Sequence, residues 1–216
     1  MPTIYEDLQK YFGYSSFLPY QEEIITDVIS KKDVLAVLAT GGGKSICYQL
    51  PSVHLNGVTI VISPLKALMK DQVDTLRAHG IPAATMNSSN YSEHQRIIED
   101  ARSGRLKLLY VSPEKIVQNN FMDFLCSITL SLIAVDEAHC ISTWGHNFRP
   151  EYRELRTIHE KFPRVPMIAL TATAIPQVRD DIILQLGLKN PSVCIGSFHR
   201  KNLHYAIRPK SKNTIN

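Results

Sequence analysis

Leu38-Ala39-Thr40-Gly41-Gly42-Gly43-Lys44-Ser45 follows the apolar run Val34-Leu35-Ala36-Val37 and precedes Ile46-Cys47-Tyr48-Gln49-Leu50. The order is strand, glycine loop, helix. Glycines lack a Cβ, so backbone N–H groups can close around phosphate oxygens, and a helix N-terminus favours the anion. In that setting Lys44 reaches the β- and γ-phosphates of a nucleotide and the Ser45 hydroxyl ligates Mg²⁺. Thr40, Gly41, Gly42 and Gly43 complete the cradle. The strict phosphate-loop pattern places glycine six residues before the lysine, where this chain has Leu38, so the match is to a looser form. An idle glycine turn before Lys-Ser is the competing explanation, and the rest of the chain weighs against it.

At 216 residues the chain fits one large domain, or one domain with appendages, and can bury a core without staples. No apolar run approaches the roughly 20 residues that span a bilayer. The N-terminus, Met1-Pro2-Thr3-Ile4-Tyr5-Glu6-Asp7, lacks the charged-then-apolar layout of a signal peptide. An intracellular protein is expected, with no membrane partner. Cys47, Cys126, Cys140 and Cys194 are far apart, so neither zinc nor a disulfide framework is expected. The net charge is +4, but six Lys or Arg and no acids lie from Leu184 onward, leaving 18 basic residues against 20 acidic in the rest. The basic tail reads as a solvated linker rather than a nucleic-acid clamp.

Apolar spacing predicts helices over 3–11 and 21–30, with Gly13 and Pro19 between them. An alternation follows the glycine loop. Short β-branched or apolar runs at 58–62, 83–86, 106–111, 131–135, 167–170 and 192–195 read as strands. Helical patterns at 65–79, 92–103, 150–162 and 175–186 separate them, the second opening on a capping box from Ser92 to Gln95. Strands alternating with helices predict an α/β fold, a mostly parallel sheet covered on both faces. Ligands of such sheets bind beyond the carboxyl ends of the strands. That rule gathers the glycine loop, Ser63, Ser112, Asp136 and Thr171 on one rim.

Asp136-Glu137-Ala138-His139 follows the buried-type strand Leu132-Ile133-Ala134-Val135. A carboxylate at a strand end across from a phosphate loop is where Mg²⁺ is held. Asp136 is therefore assigned to the metal with Ser45, Glu137 to orienting the attacking water, and His139 to coupling. Ser63-Pro64-Leu65 and Ser112-Pro113-Glu114 place a hydroxyl and backbone N–H groups at apparent helix starts, an arrangement suited to a backbone phosphate, with Lys66 beside them.

The motif order resembles a superfamily-two helicase, and the details resemble the RecQ family of DNA helicases. The segments that carry the resemblance are Gly41 to Ser45, Ser63 to Val73, Val111 to Lys115, Asp136 to His139, Ala169 to Ala174 and, most specifically, Cys140-Ile141-Ser142-Thr143-Trp144-Gly145-His146-Asn147-Phe148-Arg149-Pro150-Glu151-Tyr152. The likeness runs from about Leu8 to Tyr205. It implies a RecA-like phosphate-loop fold, ATP and Mg²⁺ as cofactors, and single-stranded and partially duplex DNA as partners. It also implies that Trp144, His146, Phe148 and Arg149 contact DNA, and that Thr171 and Thr173 link nucleotide state to it. Trp144 and Phe148 offer π-faces to bases. Phe12-Gly13-Tyr14 and Phe17 to Gln21 resemble the family's adenine-contacting segment. There Tyr14 stacks on the base and the Gln21 amide pairs with its edge. Leu18, Asn147 and Lys201 depart from the family's usual Arg, Asp and Pro.

The resemblance divides the chain into an N-terminal helical segment (1–30), a RecA-like domain (31–200) and a basic tail or linker (201–216). It implies a second RecA-like domain with an arginine finger, so the chain alone is expected to turn over ATP slowly and not to unwind. The cell compartment expected is cytoplasm or nucleoid in a prokaryote and nucleus in a eukaryote. Two alternatives stay open at this point: a DEAH-type RNA helicase lobe, against which the Cys140–Tyr152 stretch argues, and a non-catalytic nucleic-acid-binding module, against which intact Lys44, Asp136 and Glu137 argue.

Overall fold

The computed structural model describes residues 2–87, 90–118, 120–144, 147–197 and 206. Among them seven strands form one sheet: β1 Val34–Val37, β2 Val58–Ile62, β3 Ala83–Met86, β4 Leu108–Val111, β5 Leu130–Val135, β6 Met167–Thr171 and β7 Ser192–Ile195. Their spatial order is β3-β4-β2-β5-β6-β1-β7, and every pairing is parallel. Every position of β1, β2, β4 and β6 is buried. That is why their sequences are continuous apolar runs rather than alternations. The α/β fold with a parallel sheet and helices on both faces stands as expected.

The helices are α1 Ile4–Asp7, α2 Gln21–Ile29, α3 Ile46–His54, α4 Lys66–Ala78, α5 His94–Arg102, α6 Pro113–Ile116, α7 Phe121–Cys126, α8 Leu155–Lys161 and α9 Pro176–Leu186. Successive strand side chains point to opposite faces, so the core falls into two layers. Val34, Ala36, Tyr110, Ala134 and Leu170 pack with Ile24 of α2, Tyr48 of α3, and Met69 and Val73 of α4. Leu35, Val37, Ile60, Val135 and Ala169 pack on the other side with Ile97 of α5, Phe121 of α7, Leu155 of α8 and Ile182 of α9. Leu8, Ile25 and Leu50 dock the N-terminal segment onto α3.

Three local expectations differ. The first helix becomes a π-helix over Leu8–Phe12 and stops at Gly13, φ 73°. The capping box is absent: a 3₁₀ turn, Tyr91–Glu93, leads into α5, and Glu93 caps it without a side-chain bond. Pro150–Glu154 is a 3₁₀ segment, and the α-helix begins only at Leu155. Among the described residues no helix is long and apolar enough to cross a membrane. Cys47, Cys140 and Cys194 are buried free thiols and Cys126 is an exposed one.

The amino end of the sheet is tied by Asp33. Its Oδ1 accepts the Met167 N–H at 2.9 Å and its Oδ2 the Lys189 N–H at 2.8 Å. His159 Nε2 lies 3.3 Å from Oδ2, and its Nδ1 lies 3.2 Å from the Leu186 carbonyl. Asp33 thereby holds the start of β6, the α9–β7 turn and α8 against the start of β1.

Candidate nucleotide and nucleic-acid site

The glycine loop leaves β1 and enters α3. Gly41 and Gly43 have φ of 81° and 70°, which L side chains rarely adopt. A Cβ on Gly42 would come 2.9 Å from the Ala39 carbonyl, so the turn closes only with glycine there. Lys44 folds back, its Nζ donating to the Leu38 carbonyl at 3.2 Å. Ser45 occupies the N-cap of α3, yet its side chain makes no capping bond.

Gln21 is 2 % exposed and bridges to this loop. Its Oε1 accepts the Leu18 N–H at 2.8 Å and its Nε2 donates to the Gly43 carbonyl at 3.0 Å. Both edges of the amide are thus spent on backbone, a tie that no local pattern announces. Tyr14 is 55 % exposed nearby in the chain. Thr40 and Gly41 are exposed at the loop tip.

Asp136 follows β5, its N–H donating to the Ile62 carbonyl of β2 at 2.9 Å. Its Oδ1 accepts the Glu137 N–H at 3.0 Å and its Oδ2 the Ser63 hydroxyl at 3.4 Å. Burial, and then the Glu137 charge, raise its carboxyl to about 6, against the opposing pull of Lys44. Glu137 takes a left-handed backbone, φ 48° and ψ 43°, a strained conformation for a long side chain. That turn swings its carboxylate to His139, with Oε2 3.2 Å from Nδ1. His139 in turn lowers the Glu137 carboxyl. The Cys140 sulfur, 3.9 Å from Nε2, and then Glu137 raise His139 to about 9.

His139 Nδ1 also lies 3.0 Å from the Thr171 hydroxyl at the end of β6. The Thr171 hydroxyl donates to the Thr173 carbonyl at 3.1 Å, and the Thr171 carbonyl accepts the Leu38 N–H at 3.1 Å. The acid pair, the threonines and the base of the glycine loop are therefore bonded neighbours across β5, β6 and β1. The under-compensated Asp136 carboxylate, beside a glycine loop and a lysine, is an oxygen donor of the kind a hard divalent cation takes together with phosphate oxygens.

The aromatic stretch departs directly from these carboxylates. The Tyr152 hydroxyl donates to the Asp136 carbonyl at 3.0 Å, and the Arg149 N–H to the Cys140 carbonyl at 2.8 Å. Trp144 is 76 % exposed and Phe148 39 %, so neither is a core residue capping the sheet. Arg153 lies over the Phe148 ring at 5.0 Å, and Arg149 pairs with Glu114 at 3.2 Å. Asn147 has φ 62°, a conformation that asparagine tolerates better than most residues. A cleft of about 520 Å³ runs between Leu65, Glu137, His139, Phe148 and Arg149. A second, of about 340 Å³, is lined by Lys66, Tyr91, His94, Ser112 and Lys115. His146, Lys201 and the tail from 207 lie outside the described residues.

Ser63 is placed differently from its expectation. α4 starts at Lys66 with Leu65 as its cap, so Ser63 does not open a helix. Its side chain is 2 % exposed and its hydroxyl turns inward to Asp136. Ser112 does cap α6, without a side-chain capping bond. Sequence reading also missed Tyr152 and Glu114, whose partners lie 16 and 35 residues away.

A glycine loop between strand and helix, facing an acid pair at the carboxyl rim of a parallel sheet, defines a RecA-like phosphate-loop domain. Comparison with known proteins narrows the class: residues 18–182 match the DEAD/DEAH box helicases, and the chain belongs to that family. It is 50 % identical over 212 residues to the ATP-dependent DNA helicase RecQ of Haemophilus influenzae, covering 98 % of this chain and 34 % of that protein. It is 45 % identical over 204 residues to the ATP-dependent DNA helicase RecQ of Bacillus subtilis, covering 93 % of this chain and 34 % of the relative. The chain thus spans about a third of the length of these curated relatives. The crystal structure of the DUF1998 helicase MrfA shares the fold, with a TM-score of 0.68 and 20 % identity over 90 % of this chain and 33 % of that one.

Proposed function

We propose that this chain is the N-terminal motor lobe of an ATP-dependent DNA helicase. It binds Mg–ATP at the glycine loop and single-stranded DNA along the adjoining clefts. Paired with a second RecA-like domain, it couples hydrolysis to strand separation. The supporting observation is the convergence of Lys44, Ser45, Asp136 and Glu137 on one rim, with the Trp144–Tyr152 stretch anchored to the same Asp136.

Lys44 exchanges the Leu38 carbonyl for a phosphate oxygen. Ser45 and Asp136 hold Mg²⁺, and the inward Ser63 hydroxyl orients Asp136 rather than gripping DNA. Held there by Ser45 and Asp136, Mg²⁺ would supply positive charge to offset that developing on the transferred phosphoryl group. Glu137, fixed by His139, orients the water. Tyr14 stacks on adenine, and Gln21 reads its edge by exchanging the Leu18 N–H and the Gly43 carbonyl for the base. Thr40 and Gly41 to Gly43 wrap the phosphates. Lys66 and Ser112 hold the DNA backbone in the smaller cleft, Phe148 and Arg149 serve the larger one, and Trp144 and His146 also contact DNA. A DNA phosphate at Arg149 displaces Glu114. Thr171 and Thr173 carry the change between sites through His139. Residues 201–216 link to the second domain, and the protein works on partially duplex DNA inside the cell.

The test is phosphate release from ATP by this chain with single-stranded DNA, with RNA and with neither, against Lys44→Ala. Slow, Lys44-dependent release without unwinding, and oligonucleotide binding that prefers DNA, are expected. Failure to bind Mg–ATP at millimolar concentration would reduce the chain to a fold-only module, and equal stimulation by RNA would move it to the RNA helicases.

A further inference from the structure

Tyr91 opens the 3₁₀ turn that leads into α5, and it is 76 % exposed, as much as Trp144. It lies outside the 140–152 stretch and outside every segment that carries the family resemblance. Single exposed aromatic rings are common on protein surfaces and mark nothing by themselves. This one is held in place. Its ring packs on the His94 imidazole, the centroids 4.9 Å apart and the planes tilted by 48°. His94 is itself buried, and its Nε2 lies 3.0 Å from the Asn87 carbonyl and 3.3 Å from Asn90 Oδ1. Both partners are acceptors, so Nε2 carries the proton and the imidazole is fixed by them. Asn90 ties the turn to the end of β3. Its amide donates to the Thr85 carbonyl at 2.6 Å and its Oδ1 accepts the Asn87 N–H at 3.0 Å.

Tyr91 lines the smaller cleft, of about 340 Å³, together with Lys66 at the start of α4 and Ser112 and Lys115 around the start of α6. The segments that follow β2, β3 and β4 thus each contribute to one hollow. The acid that also lines it, Glu114, is engaged by Arg149 at 3.2 Å. Two cations and a hydroxyl suit a backbone phosphate, and a π-face suits a base. Phosphate contacts alone would accept single strand and duplex, because both carry the same backbone. A stacking ring discriminates, because bases inside a duplex are stacked on one another and have no free face to offer.

We propose that Tyr91, propped by His94, stacks on a base of the strand whose phosphate Lys66 and Ser112 hold, and thereby makes the smaller cleft selective for unpaired nucleic acid. Tyr91 is a specificity-determining contact, and His94 is a positioning residue that acts through it. The ring is fixed before the strand arrives, so stacking orders little that was free. Every base has a π-face, so the contact tells single strand from duplex and is tolerant of sequence.

The inference rests on the proposed binding of DNA in this cleft, and the test separates the two. Affinities of the full chain are measured at low ionic strength for a fluorescent oligothymidylate, for an abasic strand of the same length and for a blunt duplex. The proteins are the parent, Tyr91→Ala, Tyr91→Phe and Lys66→Ala. Tyr91 is largely exposed, so its replacement leaves the core intact. Tyr91→Ala should weaken the oligothymidylate by about fivefold or more and leave the abasic strand and the duplex within about twofold of the parent. Tyr91→Phe keeps the π-face and should bind as the parent does. Lys66→Ala should weaken all three ligands, because each presents a phosphate. Equal weakening of oligothymidylate and abasic strand by Tyr91→Ala would mean that the ring only shapes the cleft, and would overturn the proposal. Loss of affinity in Tyr91→Phe would overturn it too. If Tyr91→Ala changes nothing while Lys66→Ala weakens every ligand, the stacking contact falls and the reading of the cleft stands. A parent that binds none of the three would overturn the DNA reading and this inference with it.

Discussion

Asp33 precedes β1 at the amino end of the sheet, and Asp136 follows β5 at the carboxyl end; both carboxylates are largely shielded from water, yet they are treated oppositely. Burial alone would raise Asp33, but His159 and the N–H groups of Lys189 and Met167 outweigh it and hold its carboxyl below the usual range. Asp136 receives one neighbouring N–H and a long bond from Ser63, and burial beside Glu137 lifts it to about 6. One carboxylate is saturated with donors from its own fold and works as a joint. The other is left short of positive charge, on the rim where the phosphate loop sits. Shielding of an acid does not by itself mark function; the count of its donors separates structural from chemical use.

Removing each acid should break the contrast with opposite signs. Asp33→Ala leaves His159 and two buried N–H groups without their partner, and denaturant unfolding should show a loss of about 3–5 kcal/mol. Asp136→Asn removes an under-compensated charge. Without Mg²⁺ at pH 7 the variant should unfold later than the parent by about 2 kcal/mol, the raised carboxyl discounted for its partial exposure. If both variants lose stability alike, the distinction between the two ends fails.

A smaller effect, of about 1 kcal/mol, sharpens the same comparison through pH. His159 is raised in the fold by Asp33, so its contribution is full below about pH 6.5 and is lost as pH rises through its folded value. Asp33 is lowered, so its contribution is full above about pH 3.8 and is lost as pH falls through its folded value. The joint is therefore complete between those limits. Asp136, raised to about 6, favours the fold below about pH 4 and loses that contribution as pH rises through 6. Melting of the parent should weaken from pH 4 to 8, and Asp136→Asn should remove the part lost between about pH 4 and 6 while leaving the part above pH 6.5 due to His139 and His159.

Much of this was legible in the chain. The glycine loop, the β-branched runs and Asp136-Glu137 at a strand end are local patterns, and each lies where its pattern placed it. Trp144 and Phe148 stand exposed, as rings offered to bases would. What stayed hidden depends on pairs distant in sequence. Asp33 meets Met167 across 134 residues and Lys189 across 156, and Gln21 meets Gly43 only once α2 has docked beside the loop. The helix start expected at Ser63 was misplaced because Ser-Pro resembles a helix cap, whereas α4 begins only at Lys66 and the Ser63 hydroxyl is buried on Asp136. The Ser92–Gln95 box failed because Asn90 braces that turn instead, its amide donating to the Thr85 carbonyl at 2.6 Å.

The account turns on Asp136 being left short of charge so that Mg²⁺ and a nucleotide can complete it. The direct measurement is calorimetric titration of a non-hydrolysable ATP analogue into the parent and Asp136→Asn, each with and without Mg²⁺. Mg²⁺ should tighten the parent by about tenfold or more, a difference of about 1.4 kcal/mol, and should do little for Asp136→Asn. An equal gain from Mg²⁺ in both proteins would contradict the account, because the metal would then be held without the carboxylate that the rim leaves uncompensated.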